Sequence, residues 1–213
     1  MSRNAEPAYR RTPSSGAPSL QTLRHGGRWR TLVNVLGNQA VWFVAVIAAG
    51  QGHAWPGVLA ATLFVLSQVW LAPRRAHEVR LVGLAILCGL AVDGVASAQG
   101  WVVYRAASFG ELVAPPWILA LWASLAVTLN SAMRALQSRL WLGALLGGAG
   151  GPLAYLAAAR GWEAAQFAAP QWHGVTWLAV AWGIALPALL WAARTWERRA
   201  AAAAPVESRA TAS

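Results

Sequence analysis

Six long apolar runs determine what this chain can fold into. They cover residues 31–49, 55–72, 81–101, 117–133, 140–159 and 173–193. A run of about 18 or more apolar residues is long enough to cross the hydrocarbon core of a bilayer as a helix. Only 11% of the 213 residues are charged, whereas a soluble domain usually carries about 25%. The sequence therefore predicts an all-α fold, a polytopic membrane bundle of six transmembrane helices.

The positions of the arginines predict how this bundle is oriented. All 17 basic residues are arginines, and in a six-span arrangement all but Arg105 and Arg160 fall on one side. Basic residues concentrate in cytoplasmic loops, so we expect both termini in the cytoplasm. Two polar stretches, 1–30 and 196–213, are expected to be disordered tails around a transmembrane domain at 31–195.

The net charge of +10 raises the question of an acidic partner. The arginines flank apolar runs and form no basic patch with interleaved aromatic residues, so we expect contact with the lipid bilayer and not with nucleic acid. Anionic lipid headgroups on the cytoplasmic side are the expected partners, and the chain could also form a homodimer. One cysteine and four scattered histidines show no ligand spacing, so we expect no metal and no cofactor.

Two longer connections lie on the side opposite to most arginines. One of them, at 102–116, is rich in aromatic and β-branched residues. This composition is compatible with a small hairpin or lid. It is equally compatible with a loose linker, which we favour.

Asp93 is the only acidic residue within the apolar runs. A carboxyl group in hydrocarbon is costly and indicates a functional site. Ala85, Gly89 and Ser97 share its helical face at a spacing of four residues, and a small, polar face is expected to turn towards another helix. Since no basic residue lies beside it in the run, we expect a neutral, hydrogen-bonding carboxyl.

The fifth run carries a similar face, made of Gly143, Gly147, Gly151 and Tyr155. Three glycines provide a groove for a close neighbouring helix, and we expect the third run to occupy it. At a rise of about 1.5 Å per residue, Tyr155 reaches a depth close to that of Asp93. The spacing thus predicts a hydrogen bond from Tyr155 to Asp93, the two candidates for a catalytic role.

Amide side chains lie in the cytoplasmic half of the first, second and fourth apolar runs. Interhelical hydrogen bonding is the structural explanation for such residues, and a polar pocket facing the inner leaflet is the functional one. The candidate ligand-binding residues are Asn38, Gln39, Gln68, Asp93, Trp122, Asn130 and Tyr155.

Two prolines lie inside apolar runs. Pro152 and Pro187 cannot donate to the carbonyls of Gly148 and Gly183, so both helices are expected to kink. The freed carbonyls offer possible ligands for a substrate or ion, although kinks are also common in membrane helices with purely structural roles.

Several segments together resemble a family of small multipass inner-membrane proteins of proteobacteria that has no assigned activity. The segments are NVLGNQAVWF (34–43), PWILALWASLAVTLNS (116–131) and GGAGGPLAY (147–155), with the intramembrane Asp93. The resemblance covers about residues 30–195. It implies a multipass bundle in the bacterial inner membrane but no catalytic residues. The residues that match the family pattern are Asn38, Gln39, Trp42, Asp93, Trp117, Trp122, Asn130, Gly151, Pro152 and Tyr155.

Three functions are compatible with these residues. We favour an accessory or binding protein for a lipid or a hydrophobic small molecule. The alternative is an intramembrane lipid-modifying enzyme that uses Asp93 as acid or base. One carboxyl group with no histidine, metal or nucleophile beside it is weak evidence for catalysis. A small transporter linked to protons or cations ranks third, because the chain shows no internal repeat.

Overall fold

The computed structural model describes residues 20–107 and 113–202. Helices make up most of this part of the chain, which confirms the all-α prediction. In chain order they are α1 (Leu20–Gly50), α2 (Trp55–Leu71), α3 (Arg75–Ala98), α4 (Pro116–Ala126), α5 (Leu140–Trp162) and α6 (Trp172–Ala202). A short 3-10 helix, Arg134–Ser138, lies between α4 and α5.

Four of the described helices are long and apolar enough to cross a membrane. These spans are Trp29–Gly50, Arg75–Ala98, Leu140–Trp162 and Trp172–Ala202. Helices α2 and α4 are apolar but shorter. All six expected spans therefore contain a helix, and the four long ones indicate an integral membrane protein.

Helix α4 is short because the fourth apolar run stops being helical after 11 residues. Residues 127–133 form turns instead. Side-chain amides satisfy the backbone there: Asn34 Nδ2 donates to the Val127 carbonyl at 3.2 Å, and Gln137 Nε2 donates to the Leu129 carbonyl at 3.0 Å. Non-helical backbone at membrane depth is tolerated where protein surrounds it and satisfies its polar groups.

Two short strands join the connections at one end of the bundle, which we call the strand end. Strand β1 (Val102–Tyr104) follows α3 and pairs antiparallel with β2 (Ala165–Phe167), which precedes α6. The expected linker at 102–116 is therefore a strand over its first part. Its partner comes from the other long connection, so neither segment alone reveals the pairing. The segment 108–112 lies outside the described residues.

Parts of both expected tails are helical. Residues 20–30 extend α1 and residues 196–202 extend α6, whereas the disorder expected for the tails stays a prediction. Arginine, leucine and alanine, which are strong helix formers, allow the helices to continue beyond the apolar runs. Residues 1–19 and 203–213 lie outside the described part of the chain.

The glycine face of α5 packs against α6. A β-carbon on Gly143 would lie 2.6 Å from Leu190 Cδ1, and one on Gly147 would collide with the Trp182 carbonyl. Our expectation that the third helix occupies this groove is wrong. Helix α6 follows α5 in the chain and is its antiparallel neighbour, while α3 packs against α4 and α6.

Candidate functional site

Asp93 lies at the centre of a hydrogen-bonded cluster in the interior of the bundle. Its side chain is 0% exposed. Its Oδ1 accepts hydrogen bonds from the Tyr104 hydroxyl at 2.7 Å and from the Tyr155 hydroxyl, and its Oδ2 accepts one from Trp122 Nε1 at 2.6 Å. Strand β1, α4 and α5 thus converge on one residue of α3. We call Asp93, Tyr104, Trp122 and Tyr155 the Asp93 cluster.

The hydrogen bond from Tyr155 to Asp93 that helical depth predicts is present. The predicted face of α3 is also present, because Ala85, Gly89, Asp93 and Ser97 are all buried. Spacing and depth along two helices predicted this contact, although α3 does not occupy the glycine groove of α5. The neutral form of Asp93 stays a prediction.

Tyr104 is the member of the cluster that sequence reasoning missed. Strand β1 positions it: Val103 is exposed while Val102 and Tyr104 are buried, and the pairing sets Tyr104 opposite Ala165. Burial, together with the nearby Asp93, raises the pKa of the Tyr104 hydroxyl well above its ordinary value. The hydroxyl therefore keeps its proton at neutral pH and can donate a hydrogen bond to Asp93. The β-branched and aromatic residues of this segment were compatible with a strand, but they did not indicate its partner or the direction of Tyr104.

Trp122 stacks on Trp182 of α6. Their ring centroids are 4.1 Å apart and their planes are inclined by 22°. Two glycines make room for the pair: a β-carbon on Gly89 would collide with the Trp122 ring, and one on Gly151 would lie 2.6 Å from Trp182 Cγ. The stack therefore depends on glycine at both positions, and it holds Trp122 in reach of Asp93.

An apolar cavity of about 240 Å³ adjoins the Asp93 cluster between α1 and α5, with α4 and α6 completing its wall. Tyr155, Trp122 and Trp182 line it, whereas Asp93 lies behind the first two. Trp182 Nε1 is buried and has no hydrogen-bond partner among the described residues. Most ligand pockets have this composition, a mainly apolar wall with a few polar groups.

Aromatic side chains join α1 and α5 beside this cavity. The rings of Trp42 and Phe43 on α1 make edge contacts with Trp162 on α5, at centroid distances of 5.8 and 5.7 Å. A β-carbon on Gly50 would collide with the Trp162 carbonyl. Helices α1 and α5 therefore meet closely here, and Trp42 also lines the cavity.

Asn38 is the predicted amide that lines the cavity. Its Oδ1 accepts a hydrogen bond from the Ser124 hydroxyl of α4 at 2.5 Å. Gln39, the next residue, is exposed on α1, since successive side chains point about 100° apart around a helix. Gln39 thus lies away from the Asn38 contact.

Asn34, one turn before Asn38, connects three segments. Its Nδ2 donates to Gln68 Oε1 of α2 at 2.9 Å, and its Oδ1 accepts from the Ser131 hydroxyl at 2.6 Å. Sequence reasoning missed this residue, although its spacing of four from Asn38 gives both the same face. Gln68 therefore contacts α1 through Asn34.

Asn130 belongs to a separate group of polar side chains. Its Nδ2 donates to Glu78 Oε1 at 2.9 Å, and its Oδ1 accepts from Gln137 Nε2 at 2.9 Å. Arg194 Nη1 donates to the Gln137 carbonyl at 3.2 Å. This group ties the start of α3 to the segment between α4 and α5.

Pro152 and Pro187 both lie inside continuous helices. Gly148 and Gly183, whose carbonyls the prolines cannot engage, face each other: a β-carbon on Gly148 would lie 3.8 Å from Gly183 Cα. These glycines mark a close contact between α5 and α6. The kinks and any ligand role for the carbonyls stay predictions.

Comparison with known proteins gives a family but no activity. Residues 31–188 match a family described as Protein of unknown function (DUF2878), and this match covers most of the chain. The chain therefore belongs to that family. No curated protein and no solved structure matches it.

Proposed function

We propose that this DUF2878 protein binds a hydrophobic small molecule or the acyl chain of a lipid in the cavity between α1 and α5. The observation that carries the proposal is the position of Tyr155. Its ring belongs to the wall of an apolar cavity, while its hydroxyl is fixed by the buried Asp93. A wall that is already ordered loses little conformational freedom when a ligand binds.

The proposal includes a location in the bacterial inner membrane, with six spans and both termini in the cytoplasm. The distribution of arginines supports this orientation. Helix α2 has 17 residues, or about 25 Å at 1.5 Å per residue, which is near the thickness of the hydrocarbon core. The short α4 has buried neighbours and turns beyond it, so its polypeptide can continue towards the membrane surface within the protein.

The burial of Asp93 favours binding over catalysis. Both carboxyl oxygens are engaged by buried donors, and the tyrosine and tryptophan rings separate them from the cavity. In an enzyme, Asp93 would have to reach the substrate directly or act through the Tyr155 hydroxyl. The structure supports a simpler role, in which Asp93 holds the cavity wall in place.

Filling the cavity tests this proposal. Gly150 lines the cavity, and a β-carbon there would have only Leu146 Cδ1 nearby, at 3.8 Å. Gly150→Leu should therefore occupy the cavity without disturbing the backbone. Gly83→Leu is the matched control, because Gly83 is exposed on α3 with open space around it.

The measurement is mass spectrometry of molecules extracted from each purified full-length protein. We expect the wild type and Gly83→Leu to retain the same hydrophobic compound, and Gly150→Leu to lose most of it. Equal retention by all three proteins, or the absence of any retained compound, would contradict the proposal. A retained compound that becomes chemically altered only when Tyr155 is intact would favour the enzyme instead.

A further inference from the structure

A second, polar cavity lies at the opposite end of the bundle from the strands. Its volume is about 690 Å³, and it is lined by Arg30 and Thr31 of α1, the α2–α3 connection, the segment after α4 and Glu197 near the end of α6. Five charged side chains line it: Arg30, Arg74, Glu78, Arg134 and Glu197. We call it the arginine pocket, and it is distinct from the apolar cavity of the proposed function.

Three guanidinium groups stand at the rim of the arginine pocket, held by different segments. Arg30 Nη2 donates to the Leu71 carbonyl at 3.1 Å, and Arg74 Nη1 to the Glu197 carbonyl at 3.4 Å. Arg134 Nη2 contacts Glu197 Oε2 at 3.3 Å. A guanidinium group has five N–H donors, so each of these bonds leaves the group able to bind an anion as well.

The inner wall of the pocket contains polar atoms that need a partner. Glu78 Oε1 accepts from Asn130, but Glu78 Oε2 and His77 Nδ1 are buried without a hydrogen-bond partner among the described residues. Buried polar atoms in proteins are nearly always satisfied, and an exception indicates a missing partner. A ligand that carries a hydrogen-bond donor would satisfy Glu78 Oε2.

Exposed tryptophans indicate the depth of the pocket in the membrane. Trp29 precedes Arg30 and is 66% exposed, and Trp70 precedes the α2–α3 connection and is 71% exposed. Tryptophan is enriched where hydrocarbon meets the lipid headgroups. The pocket therefore lies at the level of the headgroups, on the side where most arginines lie.

We propose that the arginine pocket binds a phospholipid headgroup. The rim arginines would contact the phosphate, a geometry that guanidinium groups favour. The ammonium or hydroxyl group beyond the phosphate would donate to Glu78 Oε2. This chemistry selects a phosphate that carries a donor, as in phosphatidylethanolamine or phosphatidylglycerol, over phosphatidylcholine, whose quaternary ammonium has no N–H.

Native mass spectrometry of the full-length protein in detergent tests this, with short-chain forms of the three phospholipids as probes. We expect binding of the two donor-bearing lipids to weaken about tenfold or more in the double variant Arg74→Gln, Arg134→Gln. The control is Arg80→Gln, Arg198→Gln, which removes the same charge from exposed positions that do not line the pocket. The control should bind as the wild type does. Glu78→Gln should reduce the preference over phosphatidylcholine.

Equal weakening in the two double variants would overturn the proposal, because it would indicate general surface charge. Binding of inorganic phosphate without binding of any phospholipid would overturn it in favour of a free phosphate. Gly150→Leu, which fills the apolar cavity, should leave the binding of the short-chain lipids unchanged. This proposal and the proposed function can therefore fail separately.

Discussion

The Asp93 carboxyl joins parts of the chain that are far apart in sequence. Tyr104, Trp122 and Tyr155 lie 11, 29 and 62 residues away from it, and each depends on Asp93 for its buried hydrogen bond. A buried donor that loses its acceptor costs more than the bond itself contributes, because water cannot replace the partner. The cluster should therefore unfold as a unit.

A double-mutant cycle on the two tyrosines tests this coupling. We expect Tyr104→Phe and Tyr155→Phe each to lower the free energy of unfolding by about 1 kcal/mol, because Asp93 Oδ1 keeps one donor in either variant. The double variant leaves Oδ1 without a donor, so its loss should exceed the sum of the two. Thermal unfolding in detergent measures this. Additivity within about 0.3 kcal/mol would show that the tyrosines act independently.

The sequence predicted Tyr155 and not Tyr104 for a physical reason. Tyr155 and Asp93 both lie on long helices, where spacing determines the face and rise determines the depth. Tyr104 is positioned by a pairing between two connections about 60 residues apart, which no local pattern encodes. The direction of Trp122 similarly depends on the space that Gly89 leaves on another helix.

The two short strands connect the end of α3 to the end of α5. Backbone hydrogen bonds beyond the paired residues add to this connection: Arg105 N donates to the Ala164 carbonyl at 2.9 Å, and Ala168 N to the Trp101 carbonyl at 3.1 Å. The register holds Tyr104 towards Asp93. The geometry of the cluster therefore depends on the strand pairing.

Val103→Pro tests this dependence. Val103 is paired with Gln166 and its side chain is 44% exposed, so the variant mainly removes a backbone donor and restricts the strand. We expect a loss of roughly 1 kcal/mol or more in unfolding free energy, and a smaller additional effect of Tyr104→Phe in this background. Val103→Thr is the control and should remain near the wild type. If Tyr104→Phe lowers the unfolding free energy as much in the Val103→Pro background as in the wild type, the Asp93 cluster does not depend on the strand pairing.

The length of helix α4 could not be predicted from its apolar run. The run at 117–133 is apolar enough to suggest one span, but hydropathy shows only that a segment avoids water. A segment avoids water equally well in the protein interior and in lipid, so hydropathy does not determine whether it is helical. The choice of turns over helix at 127–133 depends on Asn34 and Gln137, which lie on other segments and satisfy its carbonyls.

The positions of the arginines predict the orientation of the whole bundle. In a Cys88→Ala background, Gly161→Cys should react in intact cells with a thiol reagent that cannot cross membranes, and Arg80→Cys should react only after lysis. Both positions are exposed, so access to the reagent reports the side of the membrane. The reverse labelling pattern would place the termini outside, against the bias that basic residues impose.

The stacked Trp122 and Trp182 rings have an optical consequence. Indoles 4.1 Å apart and inclined by 22° are close enough for their electronic transitions to couple, which produces paired circular-dichroism bands of opposite sign. Phenylalanine at either position should abolish this couplet. Because both rings line the apolar cavity, a molecule that enters and tilts one of them should change the couplet. The protein thus contains its own spectroscopic reporter of occupancy, which needs no attached label.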